Sequence, residues 1–178
     1  PGKPNILTKH RQGGGGSRAA NYLYNVAAKD GTMLGFLSDS LALGQLMFPK
    51  KAKYDARNMR YIGRLTPVNP VLVINKNHKV KTIADAKKHQ VVVSCSGRSS
   101  QSYLYPKATL ELLGYNFKMV CGYAGSAPQS LAQSRGDIDA QSSAWISWKI
   151  RKFDQIQNGI FEGGAHVYQL GLGNAQRQ

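Results

Sequence analysis

The most constraining feature of this chain is a unit that recurs along its middle. A short apolar strand runs into a loop of glycine and serine, then a helix, a closing glycine and another strand. Val91-Val92-Val93-Ser94-Cys95 is the clearest instance: short, β-branched and continuous, as strands buried on both faces of a parallel sheet are. Ser96–Ser100 follows as a polar loop. A helix is expected over 101–113, Gly114 closes it, and 116–121 reads as the next strand. Gly122–Pro128 is a second loop of the same kind, followed by a helix over 128–135, Gly136, and a strand over 137–142. A strand at 71–75 and a helix-like stretch over 82–89 precede these units. An amphipathic helix over 145–157 and a weak strand at 165–171 follow them. Such units are crossover connections on a mostly parallel sheet, and ligands of such sheets sit at the carboxyl ends of the strands.

The first part of the chain is less regular. Residues 4–10 read as a short strand and 32–38 as a buried one. Between them, the tract Gly13–Gly16 leads to Ser17, a candidate cap for a helix over 18–29 whose apolar stripe is Ala19, Leu23, Val26 and Ala27. A short helix over 41–48 stops at Pro49, and the basic stretch from Lys50 to Arg60 reads as a surface loop.

With 178 residues, 42% of them hydrophobic, the chain can build one sizeable core or two small lobes. Its charge is uneven. Residues 1–90 carry 16 Lys and Arg against 4 Asp, and residues 91–178 carry 8 against 5 acidic groups, which makes up the net +15. That charge draws anions of any kind and is silent about fold. Cys95 and Cys121 each end an expected strand. They form a disulfide if those strands are neighbours in an oxidising compartment, and otherwise two buried thiols. No apolar run reaches the length of a membrane-spanning helix. The chain opens on Pro1 rather than Met, as a mature, trimmed or incomplete chain does.

Catalytic constellations are poor. There is no G-x-S-x-G, H-E-x-x-H, Walker A lysine or zinc-ligand spacing, and none of the four histidines pairs with a nucleophile. No catalytic residue, metal or cofactor is expected, and Asp137 and Asp139, the one close pair of acids, suit neither acid–base work nor magnesium. Ser96-Gly97-Arg98-Ser99-Ser100-Gln101 is the leading site candidate. It joins a buried strand to a helix start whose amides favour an anion, and it adds hydroxyls and a guanidinium. Gly125-Ser126-Ala127 repeats that logic one unit later. The simpler alternative is a helix cap by Ser96 or Ser99 at the first loop and an ordinary strand-to-helix turn at the second. Lys50–Arg64, interleaved with Tyr54 and Tyr61, offers a second reading, a polyanion or nucleic-acid surface. Trp145 and Trp148 read as core rather than as a stacking platform.

Four stretches carry a family resemblance. They are RQGGGGSRAANYLYNVAAKDGTMLGF (11–36), YDARNMRYIGRLTPVNPVLVI (54–74), VVVSCSGRSSQSYLYPKATLELLG (91–114) and GYAGSAPQSLAQSRGDIDA (122–140). In this order they resemble the periplasmic solute-binding proteins of tripartite tricarboxylate transporters, across about residues 11–144. The resemblance implies a periplasmic-binding-protein-like α/β fold of two lobes, each a mostly parallel or mixed sheet flanked by helices. Residues 1–70 would form part of the first lobe, and 71–178 the second lobe and the start of a return. It implies a periplasmic monomer that catalyses nothing. Such a protein would close on a small organic acid, a di- or tricarboxylate or related anion, for delivery to a cognate membrane permease, with nucleic acid not an expected partner. By position, Ser38 and Ser40 fall at the first lobe's edge. Ser96, Gly97, Ser99, Ser100 and Gln101 match the carboxylate loop, and Gly125, Ser126 and Ala127 match its neighbour. Arg98 and Ser143 complete the candidate set. The family's Phe-Asp-Asn after the fourth strand is Ser142-Ser143-Ala144 here, so its carboxylate and carboxamide contacts are not expected. The family's first strand and Pro-Gly-Gly loop have no counterpart before them, and its return segment none after them.

Overall fold

The computed structural model describes residues 2–64, 68–75, 77–157 and 166–169. In chain order its main elements are α1 (Ser17–Asn25), α2 (Leu41–Met47), β1 (Pro70–Ile74), α3 (Asp85–Lys88) and β2 (Val91–Cys95). Then come α4 (Gln101–Leu113), β3 (Phe117–Cys121), α5 (Ser126–Arg135), β4 (Ala140–Ala144), α6 (Trp145–Gln157) and β5 (His166–Gln169). The five strands form one mixed sheet in the order β3-β2-β4-β1-β5. β2 runs parallel to β3 and β4, and β1 runs antiparallel to β4 and β5.

Side-chain alternation along β1 shows how the sheet is buried. Leu72 and Ile74 point to one face, where they pack with Val80, Val91, Val93, Phe117 and Ala140. Val71 and Val73 point to the other, against Trp148 of α6. A sheet covered on both faces needs near-continuous apolar strands, which is why VLVI and VVV stand out in the sequence. Each fully buried Leu or Val contributes roughly 1.5–3 kcal/mol over its exposed state. The tryptophans are core, as read: Trp148 is 4% exposed and Trp145 packs beside it.

A second, smaller cluster lies in the N-terminal region. Ala20 of α1, Leu41 of α2, Tyr54 and Ala56 are buried together, and the Tyr54 hydroxyl donates to the Leu41 carbonyl at 3.0 Å. Asp55 ties the following turn, accepting from the Arg57 amide and guanidinium and from Asn58.

Several expectations are corrected here. Residues 4–10 and 32–38 form no sheet ladder among the described residues. In the second segment, Leu34 and Phe36 are exposed, while Gly35 lies so close to Leu23 that a Cβ there would stand 2.4 Å from Leu23 Cδ2. The segment packs edgewise on α1 through a glycine instead of pairing its backbone. The last strand of the repeat begins at Ala140 rather than 137: Asp137 N still donates to Ala132 O in the turn after the helix, and bonding to the neighbouring strands starts only at Asp139, whose amide donates to Val92 O and whose carbonyl accepts from Asn75 N. Asp139 is structural, its carboxylate accepting from the Val92 amide at 2.8 Å. α1 ends at Asn25, short of the expected 29, and Lys29 folds back to donate to the Leu23 and Tyr24 carbonyls. Val26, assigned to the apolar stripe, is 68% exposed, whereas Ala20 is fully buried. Ser17 does not cap α1. It is the helix's first residue, and its hydroxyl donates to Gly14 O.

The cysteine question resolves as a disulfide. Cys95 and Cys121 are directly paired across the parallel strands β2 and β3, with Cα atoms 4.4 Å apart, inside the range a disulfide spans.

Candidate functional site

Both glycine–serine loops leave the sheet at the carboxyl ends of parallel strands, and the disulfide holds those ends together. The amides of Gly122 and Tyr123 donate to the Cys95 carbonyl, so the start of the second loop is pinned to the start of the first. Between them opens a cavity of about 650 Å³.

Of the candidates, Ser38, Ser96, Ser100, Gln101, Gly125, Ser126 and Ser143 line this cavity. Ser40, Gly97, Arg98, Ser99 and Ala127 do not. Ser40 is buried behind the wall, donating to the Ser99 carbonyl at 3.1 Å. Arg98 is exposed, so its guanidinium is not a wall of the cavity. Gly97 is a packing residue: a Cβ there would lie 2.9 Å from the Gly15 amide nitrogen.

That contact brings in the Gly13–Gly16 tract. All four glycines line the cavity, and all four have positive φ. Gly15, at φ +66, rests on the other loop so closely that a Cβ would be 2.5 Å from the Ser100 nitrogen. Only glycine fits this backbone and this approach. The tract thus closes the cavity from the N-terminal side and joins the two clusters of the fold.

The cap alternative fails at the first loop: the N-cap position of α4 is Ser100, not Ser96 or Ser99, and no side chain caps the helix. At the second loop the N-cap position of α5 is Gly125, again without a side-chain cap. The Ser100 hydroxyl donates to Gly97 O at 2.6 Å, bracing the loop instead. Two helices of thirteen and ten residues therefore turn uncapped N-termini toward one cavity, where first-turn amides and the helix dipole favour negative charge.

No acidic or basic side chain lines this cavity among the described residues. A cation stands at its edge: Arg151 of α6 donates to the Ser126 hydroxyl. Behind the wall, Tyr105 has its phenol pushed above the usual range by burial first and by the Asp39 charge second. Sequence reasoning missed Arg151, Gln12, Ser102, Gln129 and Ser142. Arg151 lies twenty-five residues beyond Ser126, with nothing local to link them.

No protein-family model matches the chain, and no curated protein does. The fold is of the periplasmic-binding-protein kind, an α/β mixed sheet with flanking helices. A solved structure described as a periplasmic transporter superposes on 91% of this chain with a TM-score of 0.72 at 20% identity. The matched region is 53% of that structure, so the chain spans about half its length. The periplasmic binding protein BugD (TM-score 0.44, 19% identity, 57% of this chain and 33% of that one) also aligns. So does the R. palustris protein Rpa4515 with adipate (0.45, 19%, 56% and 32%).

Proposed function

We propose that the chain is part or all of a non-enzymatic solute-binding protein of the periplasm, one that holds a small organic anion for delivery to a membrane permease. The observation that carries this reading is the pair of uncapped helix N-termini, α4 and α5, turned toward one cavity walled by glycine amides and serine hydroxyls. Such a wall binds carboxylate oxygens without a buried counter-charge. The fold shared with a periplasmic transporter supports the class, and a disulfide suits an oxidising compartment. In this reading residues 1–70 belong to one lobe and 71–178 to the other and the start of a return. The acid enters while the lobes are apart and shifts the population toward the closed form. The basic surface draws the anion in.

The polyanion reading loses one of its two stacking faces, since Tyr54 is 5% exposed and bonded through its hydroxyl. Calorimetry of the chain against citrate, succinate, glutamate and a short single-stranded oligonucleotide, at low and moderate salt, separates the two. Saturable one-to-one binding of a small acid is expected. Ser126→Ala should weaken it about tenfold, the worth of one hydrogen bond to a charged group. Binding of the oligonucleotide alone, lost with salt, would overturn the proposal in favour of the polyanion surface.

A further inference from the structure

Two groups in the cavity wall have hydrogen-bonding capacity that the protein leaves unused. Ser142 is 2% exposed and its Oγ has no partner, and the Nε2 of Gln101 is likewise buried without one. Their neighbours are paired. The Ser100 and Ser102 hydroxyls bond each other, Gln129 accepts from Ser94, and Gln141 bridges the Ser130 hydroxyl and the Ser126 carbonyl. Buried polar groups in folded proteins are nearly always satisfied. One that is not forfeits the bonds it made to water in the unfolded chain. The fold gains nothing from a hydroxyl at 142, where an alanine would fill the same strand position.

Their placement gives the two groups a shared use. Ser142 lies on β4 one step past its last pairing with β2, Ser94↔Gln141, so it stands at the carboxyl end of the parallel part of the sheet. Gln101 opens α4, the first of the two helices whose N-termini face the cavity. Both residues line the cavity that the helix amides face.

We infer that Ser142 is a specificity-determining residue that, together with Gln101 Nε2, recognises a second oxygen-bearing group on a two-headed acid. This rests on the carboxylate-binding reading above and deepens it. An amide Nε2 can only donate, and a serine hydroxyl can donate or accept. The complementary ligand group must therefore offer an acceptor oxygen, as a second carboxylate or a hydroxyl does. A methyl in its place leaves both groups unpaired. Sites built around a hydrogen bond reject the analogue that lacks it more strongly than apolar pockets reject an extra group. Both atoms are shut off from solvent in this state, and a change of serine rotamer, between staggered wells, turns the hydroxyl to the ligand.

Succinate, 4-hydroxybutyrate and butyrate share four carbons and differ in the far group. Their affinities for the wild-type chain, Ser142→Ala and Gln101→Met, read by calorimetry, test the inference alongside thermal unfolding without ligand. The wild type should prefer succinate or 4-hydroxybutyrate to butyrate by on the order of tenfold or more, and whichever of the two wins tells carboxylate from hydroxyl. Ser142→Ala should shrink that preference while its ligand-free melting temperature holds or rises, because it deletes an idle buried hydroxyl. A merely structural serine would lower the melting temperature and leave the preference alone, and that result would overturn the inference. So would a wild type that binds all three acids equally, or a preference retained in both variants. A chain silent to these acids and also to citrate and glutamate would instead refute the carboxylate reading itself.

Discussion

Residues 70–151 and residues 14–64 bury their apolar groups by different means. In the first region the strands do the work. β1, β2 and β4 carry side chains alternately to two covered faces, and Leu72, Ile74, Val91 and Val93 are at or near zero exposure. In the second, two short helices and a turn enclose a cluster of four residues, Ala20, Leu41, Tyr54 and Ala56, while Leu34, Phe36, Leu46 and Ile62 remain 72–84% exposed. The sheet is held by area, and the N-terminal cluster by particular bonds: the Tyr54 hydroxyl, the Asp55 turn and Gln45 reaching the Ala56 amide. The cavity lies where the two regions meet, one wall from each. A site so built is as good as the joint between its halves.

The largest expected effect falls on the sheet side. The Cys95–Cys121 bond closes a loop of 26 residues containing α4 and fixes the strand ends from which both site loops depart. Removing it with the paired substitution Cys95→Ala and Cys121→Ala should lower stability by about 2–4 kcal/mol. Read by denaturant unfolding, the loss should appear in the signal of Trp145 and Trp148, which lie against the sheet. A double variant as stable as the wild type would show that the β2–β3 backbone ladder alone sets the loop geometry.

The joint comes next. An alanine at Gly15 meets the Ser100 nitrogen at 2.5 Å and also demands a left-handed backbone from an L residue. Overpacking and strain together predict a loss of about 1–3 kcal/mol. The consequence that sharpens the comparison is functional: Gly15→Ala should spread the two walls and weaken ligand binding more than it lowers the melting temperature of the sheet. An alanine accepted with full binding would mean that the two regions do not need this contact to form the site.

The same contrast explains what was legible in the sequence. Strands buried on both faces announce themselves as unbroken β-branched runs, so β1, β2 and β3 fall within a residue of expectation. α4 begins and ends where Gln101 and Gly114 place it, because a polar loop and a left-handed glycine bracket it. β4, written Ala-Gln-Ser-Ser-Ala, has no such signature, and the strand-like alternation of Asp-Ile-Asp before it places the expected boundary three residues early. In the N-terminal region the patterns at 4–10 and 32–38 are strand-like, but alternation cannot say whether a neighbouring strand exists to complete a ladder. At the site, the two loops were readable because each is local, a strand end followed by a helix start. Arg98 was overvalued because a guanidinium inside a candidate loop attracts attention, yet the loop turns it to solvent. Gly13–Gly16 failed known phosphate-loop spacings. Its role depends on the Ser96–Ser100 loop, eighty residues away in sequence, and no local pattern encodes that approach.

The smallest effect concerns acid, and it tests whether the bond-held region fails before the area-held one. Asp55 is held well below the usual carboxylate range, first by its side-chain bond to Arg57 and then by the Arg57 amide. On the sheet side Asp85 is also lowered, chiefly by the Thr82 and Lys81 amides it accepts from. A carboxylate with a depressed folded pKa contributes stability above its unfolded value of about 3.9, and that contribution is lost as pH falls from there toward the folded value. Both regions should therefore weaken below about pH 4. The N-terminal cluster should go first, because Asp55 anchors the turn bearing Tyr54 and Ala56, two of that cluster's four buried residues, whereas Asp85 braces a four-residue helix that contributes one residue, Ala86, to the larger core of the sheet. In a titration followed by near-ultraviolet dichroism, the tyrosine signal should decline ahead of the tryptophan signal. Asp55→Asn should flatten the pH dependence of the first, and Asp85→Asn should barely move the second. Simultaneous loss of both signals would mean that the joint at Gly15 couples the regions into a single cooperative unit, with the difference in how each buries its core invisible to unfolding.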